Sequence, residues 1–220
     1  MADWLLSIQF ANGAFQGGLV DSTPRVPVVF NTGQILIGLS AAAEKFAGDY
    51  HGSMMRAAHW LCDVQDPSGG WSTHCSPFAR PGSKTFDTHA SIGLLSAARV
   101  SGESRFAEAA LRNLRWATSH ATRNGFIRSC CLDTPRAPYT HTLGYYLRGV
   151  VEGAYHFQDD SLLQSALLTA RALQRCVEAD GRLPGRLTHR LRPGAPWVCL
   201  TGSAQIAHSF FLLSKHDSSL

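Results

Sequence analysis

The chain of 220 residues has no apolar run of the about 20 residues that a bilayer crossing takes, so no membrane span is expected. A secretory leader pattern is also missing: Met1-Ala2-Asp3-Trp4 leads into Leu5-Leu6-Ser7-Ile8-Gln9 with no basic start and only a short apolar stretch. The expected location is therefore the cytoplasm. Charged residues are scarce, at 16%, and the formal net charge of +4 comes with no recognisable nucleic-acid-binding motif, so no nucleic-acid partner is expected. Cys62, Cys75, Cys130, Cys131, Cys176 and Cys199 are irregularly placed and include no Cys-x-x-Cys pair, which argues against a disulfide framework and against zinc. We read them as reduced thiols and expect neither a metal nor a cofactor. Strand-like alternation is absent as well. What remains, 45% hydrophobic residues, suffices for a buried core and excludes disorder and collagen.

Against these absences stands a repeat. Gly13, Gly69, Gly125 and Gly181 are spaced 56 residues apart, and nine positions before each lie Trp4, Trp60, Trp116 and Ala172. Tyr50, Phe106 and Leu162 keep the same period, so the register extends over a helix-sized segment. Repeats of this length are stacked supersecondary units, none able to bury its apolar face alone. In the second unit Tyr50, Met54, Ala57, Ala58, Leu61 and Val64 recur at helical spacing and define a first helix, A. Asp66-Pro67-Ser68-Gly69-Gly70 ends it. After a long loop, Thr88 opens a second helix, B, with Asp87 or Thr88 as its N-cap. Further B helices start near Thr32, Thr142 and Thr201, and further A helices span 104–120 and 160–177. The fold class expected is all-α: one repeat domain over 1–220, with units near 1–48, 49–103, 104–158 and 159–220.

Gln65-Asp66-Pro67-Ser68-Gly69-Gly70-Trp71, followed by Phe86-Asp87-Thr88-His89-Ala90-Ser91-Ile92-Gly93, resembles the QW repeats of squalene cyclases and the related protein prenyltransferase repeats. Gln9-Phe10-Ala11-Asn12-Gly13-Ala14-Phe15 is a weaker copy. The resemblance implies an α/α toroid, a terpenoid cyclase-like fold in which one helix of each hairpin lines a cavity. The wider set of such toroids includes six-hairpin glycosidase-like hydrolases, lyases and sugar epimerases. Within it, Trp4-Leu5-Leu6-Ser7-Ile8-Gln9, Pro27-Val28-Val29-Phe30-Asn31-Thr32-Gly33-Gln34, Thr140-His141-Thr142 and Cys199-Leu200-Thr201-Gly202-Ser203-Ala204-Gln205 together resemble a bacterial group associated with exopolysaccharide biosynthesis. Six hairpins of this period would need about 336 residues, so the roughly four units here imply an incomplete ring, a truncated chain or self-association that completes the ring. No Asp-x-Asp-Asp acid motif occurs, and an open ring would not shield a carbocation from water.

B-helix starts that line a cavity put Asn31, Asp87 and His141, with Thr32, Thr88, Thr142 and Thr201, on one rim. Asp87 and His141 are the candidate acid and base, with Glu152 as a possible second carboxylate. The candidate substrate-binding residues are Asn31, Gln34, His89 and Gln205 for hydroxyls, Trp71 and Trp197 for stacking on sugar faces, and Arg80 and Arg136 for an anionic group. The loops before the B helices hold Arg25, Arg80, Lys84, Arg123, Arg128, Arg136, Arg182, Arg186, Arg190 and Arg192, half of the 20 basic residues, which favours a polyanion. The bland alternatives are N-caps for Asp, Asn and Thr, a hydrogen-bonded helix-start histidine for His141, and a solubilising rim for the arginines. The function expected is bacterial polysaccharide metabolism, on an anionic glycan or glycan precursor, by an enzyme of hydrolase, lyase or epimerase type if it is an enzyme. A non-catalytic interaction scaffold and a terpenoid cyclase or prenyltransferase-like enzyme are the alternatives.

Overall fold

A computed structural model describes residues 2–220. It contains eight α-helices: α1 (Ala2–Ile8), α2 (Val29–Lys45), α3 (Tyr50–Asp63), α4 (Thr88–Ser101), α5 (Ser104–Thr118), α6 (Thr140–Phe157), α7 (Asp160–Gln174) and α8 (Leu200–Leu213). A single 3-10 turn, Thr85–Asp87, runs into α4. Among the described residues the extended segments make only isolated bridges, such as Tyr139 with Arg186 and Pro184 with Val198. The odd-numbered helices are the A helices and the even-numbered ones the B helices.

The boundaries have local causes. On α3, Met54, Ala57, Ala58 and Leu61 form the buried face, and the helix stops before Pro67. At the start of α7 the Asp159 carboxylate accepts from the backbone N–H groups of Ser161 (2.9 Å) and Leu162 (3.1 Å), an N-cap. The threonines of the B-helix starts behave otherwise. Thr32, Thr88 and Thr142 are buried, and no side chain caps α2 or α6. Thr32 donates to Val28 O (2.8 Å) and accepts from Phe15 N (2.9 Å), while Thr142 donates to Cys130 O (2.7 Å). These hydroxyls anchor loops to helix starts and do not face a ligand, because a buried hydroxyl must spend its hydrogen bonds inside the protein.

The chain forms two compact units. The first comprises Met1–Ser83 and His89–Asn113, the second Lys84–Thr88 and Leu114–Leu220. In the first, α2 packs along α3, and a glutamine ties each A-helix end to the next A helix. Gln9 Nε2 donates to Gly13 O in its own turn (2.9 Å) and to Ser53 O on α3 (3.0 Å). Gln65 Nε2 repeats this one unit later, to Gly69 O (3.1 Å) and Ala109 O on α5 (2.9 Å). Arg56 and Arg112 donate to the respective Oε1 atoms, at 3.0 and 2.8 Å. In the second unit α6 packs against both α7 and α8.

All four periodic glycines have positive φ, between 82° and 97°. A Cβ on Gly125 would lie 2.5 Å from Ala172 Cβ and 2.8 Å from Leu168 O on α7, whereas one on Gly181 would meet nothing within 4 Å. Both substitutions strain the backbone, but only the first also collides with a neighbour. Gly125→Ala is therefore expected to cost about 2 kcal/mol more than Gly181→Ala in urea unfolding; equal losses would show that the turn conformation alone selects glycine.

Candidate functional site

The second unit gathers side chains at the N-terminal ends of α6 and α8. The segment before α8 is laid across the start of α6 by backbone bonds, Thr140 N to Gly185 O (3.0 Å) and Gly185 N to Trp197 O (2.7 Å). Those bonds hold Arg186 over the Tyr139 ring, 3.6 Å from its centroid, and Trp197 at 5.9 Å from the same ring. On the other side of Tyr139, His141 stacks at 5.2 Å with 25° between the planes, and Tyr145, one turn along α6, meets His141 edge-on at 5.8 Å. Trp197 remains 43% exposed, so this ring cluster presents an aromatic surface to solvent.

Its electrostatics follow from the neighbours. Arg186 donates to both carboxylate oxygens of Asp133, at 2.7 and 3.1 Å, and to Ala137 O at 2.9 Å. That pairing holds the Asp133 carboxyl down to about 2. Burial, and secondarily the charge of Arg186, push the His141 imidazole below its ordinary value. It is thus neutral in neutral water and able to accept a proton. His141 Nδ1 lies 3.7 Å from Cys199 Sγ, and Cys199 caps α8 by accepting from Gly202 N at 3.4 Å.

The same face of α6 continues through Arg148 and Glu152, at helical spacing from His141 and Tyr145. Arg148 Nε donates to Glu152 Oε1 (2.7 Å), and Arg148 also meets His208 Nδ1 of α8 at 2.7 Å. Gln205 of α8 lies against Gly144, its Oε1 buried without a hydrogen-bond partner. In the first unit, Phe30 and His89 stack at 6.1 Å, and Gln34 Nε2 is likewise buried and unpartnered. Asn31 lines a cavity of about 330 Å³ there, with Trp4, Leu19, Val20 and Arg25. Arg80 and Arg136 are exposed.

One expectation from the sequence needs correction. Trp71 is 1% exposed and its indole N–H donates to Leu61 O (2.9 Å), so it is a core residue with no face left for a sugar. Asp87 is 5% exposed, and no hydrogen bond joins it to His141. Burial, opposed by Lys84, raises its carboxyl to about 7. Sequence reasoning counted Arg186 only among the loop cations, did not pair it with Tyr139, and passed over Tyr145, although its position one turn after His141 was a usable signal. Among the described residues, no three His, Cys, Asp or Glu side chains converge as metal ligands, and no helix is long and apolar enough to cross a membrane.

Comparison with protein-family models gives no match, and comparison with curated protein sequences gives none. Solved structures do match. The chain is similar to cellobiose 2-epimerase from Spirochaeta thermophila, with a TM-score of 0.76 and 15% identity over 96% of this chain and 60% of that one. An inactive variant of the alpha-1,6-mannanase of a Salegentibacter species, in complex with alpha-1,6-mannotriose, matches with a TM-score of 0.73 and 11% identity over 99% of this chain and 63% of that one. The unsaturated glucuronyl hydrolase of a Bacillus species, responsible for the degradation of glycosaminoglycan, gives 0.68 and 14% over 84% and 55%. These likenesses define the fold as an all-α, α/α-toroid array of helical hairpins, the architecture of carbohydrate hydrolases and epimerases. The chain spans about 60% of the length of the structures it matches.

The raised Asp87 carboxyl has a measurable consequence. Unfolded, Asp87 releases its proton near 3.8, and folded it keeps it to about 7, so stability falls as pH rises between those values and levels off above them. Asp133, held at about 2, acts in a lower window, with its stabilisation present above 3.8 and lost towards pH 2. Asp87→Asn is expected to flatten the decline between about pH 4 and 7 in urea-unfolding free energies. An unchanged decline would mean that the carboxyl is already ionised in the folded chain.

Proposed function

We propose that this chain binds an anionic sugar-containing ligand at the N-terminal ends of α6 and α8 and acts on it by acid–base chemistry. The observation that carries this reading is the solvent-facing Trp197 indole, backed by Tyr139 and beside the neutral imidazole of His141. Aromatic faces pack against the C–H faces of sugar rings, and a neutral imidazole within reach can take or return a hydroxyl or ring-carbon proton. Arg136, exposed and in no ion pair among the described residues, is available to an acidic group. Arg186 has spent its charge on Asp133. Gln205 is proposed as a contact for a ligand hydroxyl, although its Oε1 is buried against Gly144.

Of the two groups proposed for proton transfer, His141 is the one a ligand reaches. We assign Asp87 an indirect role, in anchoring the segment whose Thr88 hydroxyl donates to Tyr146 O of α6 (3.2 Å). For the first unit, taken by itself, Asn31, Gln34, His89 and Arg80 are proposed as glycan contacts. The likeness to a mannanase, an epimerase and a glucuronyl hydrolase supports a glycan ligand, and the sequence resemblance supports a setting in bacterial exopolysaccharide biosynthesis. A second reading, a scaffold that meets a protein partner or a second copy, is favoured by Leu200 and Phe211 of α8, 79% and 77% exposed.

Calorimetric titration with neutral manno-oligosaccharides and with uronic-acid oligosaccharides tests the first reading. The acidic series is expected to bind more tightly, and Trp197→Ala to weaken binding about tenfold. Absence of binding to both series, or binding indifferent to Trp197→Ala, would sink the reading and leave the scaffold.

A further inference from the structure

We propose that the cavity beside α1 in the first unit binds an amphiphilic organic acid, with an alkyl chain against its apolar walls and the carboxylate on Arg25. The inference goes beyond the glycan reading, with which it shares only Asn31.

Trp4, Leu5 and Ile8 of α1, Leu19 and Val20 of the following loop and Ile35 of α2 line this cavity of about 330 Å³, a size within the range of small-molecule sites. Trp4, Leu19 and Val20 remain 48%, 67% and 70% exposed, so much of this apolar surface meets water, a cost that a bound alkyl chain removes. The backbone that carries Leu19 and Val20 is pinned in place. Gln16 Nε2 donates to both of their carbonyls, and Leu19 N–H donates to Ser22 Oγ (3.0 Å). Gly17 N to Val26 O and Val28 N to Phe15 O, each 3.0 Å, close the base of the loop. A sugar ring would set its hydroxyls against Leu, Ile and Val side chains that offer them no hydrogen bond, whereas an alkyl chain loses nothing there.

The polar end of the site is built by the same glutamine. Gln16 Oε1 accepts from Arg25 Nε (2.7 Å), Arg25 Nη2 donates to Ile8 O (3.3 Å), and the guanidinium stands over the Phe10 ring, 5.2 Å from its centroid. Of the five N–H donors that a guanidinium carries, these bonds take two, and the rest have no protein partner among the described residues. Nor does a carboxylate neutralise Arg25 among those residues: Asp3 of α1 accepts from Tyr50 Oη, and Asp21 of the loop makes no ion pair. A planar cation held at two points, with N–H groups left over, matches the two oxygens of a carboxylate and loses little freedom on binding one. Arg25 lines the cavity together with the apolar side chains, so one ligand can meet both.

Calorimetric titration of the whole chain with octanoate and with 1-octanol, which has the same chain length and no charge, tests the site. Octanoate is expected to bind saturably, one per chain, and octanol about tenfold more weakly. Arg25→Gln is expected to weaken octanoate about tenfold and leave octanol unchanged, at an unchanged thermal midpoint, whereas Val20→Asn weakens both. Equal affinity for the two probes overturns the proposal even if the Arg25 variant does not fold, and so does a folded Arg25→Gln that binds octanoate as tightly as the original chain. Absence of saturable octanoate binding overturns it as well. If light scattering then shows a dimer that Val20→Asn breaks, the cavity belongs to a second copy of the chain. Neither probe contains a sugar, so failure here is distinguishable from failure of the glycan reading.

Discussion

Close approach of backbones at the ends of α1 and α5 is the constraint on which the rest depends. Where a turn must lie against the next A helix, a side chain on the turn glycine would occupy space already taken by that helix, as at Gly125 against Ala172 and Leu168. The backbone groups exposed by the turn then need partners. Gln9 and Gln65 supply them by donating to two carbonyls at once, one in the turn and one on the following A helix. The second unit has no such glutamine. There Thr122 closes the turn through Phe126 O, and Asn124 Nδ2 reaches His189 O (3.1 Å) in the segment before α8.

That difference matters for chemistry. Through Asn124, the third turn is tied to the segment that carries Arg186 and Trp197, and backbone bonds carry the same segment over the start of α6. The result is a ring cluster whose members come from three places in the chain but whose geometry is fixed by main-chain bonds. Arg186 is neutralised by Asp133 yet still faces Tyr139, so the cluster is firm without presenting a free cation at its centre. Half-burial keeps His141 neutral while leaving it within reach of solvent. This combination suits a group that exchanges protons with a bound ligand.

The repeat was legible because glycine spacing reports a backbone conformation directly. Four glycines at one period became four turns of positive φ, and the helix faces followed from apolar spacing. Trp71 was misread because the motif that contains it reports packing: its indole reaches back to Leu61 O inside the unit, and neither period nor composition distinguishes that from a sugar platform. Thr32, Thr88 and Thr142 were misplaced for a related reason, since a helix-start hydroxyl can cap, face solvent or anchor a loop, and only the loop decides. Arg186 over Tyr139 was illegible, because loop backbone pairing sets that contact and leaves no periodic trace. Fold class was therefore readable, whereas the neighbours of His141 and Trp197 required the structure.

The central claim is that a sugar ring is held at the N-terminal ends of α6 and α8. Its most direct test is a crystal structure of the chain grown with a uronic-acid-containing oligosaccharide. The account predicts a sugar ring in contact with the exposed face of Trp197, with a hydroxyl or the anomeric carbon within reach of His141. A well-ordered oligosaccharide bound elsewhere, for instance beside Phe30 and His89 or in the cavity near Trp4, with the Trp197 face bare, would contradict it.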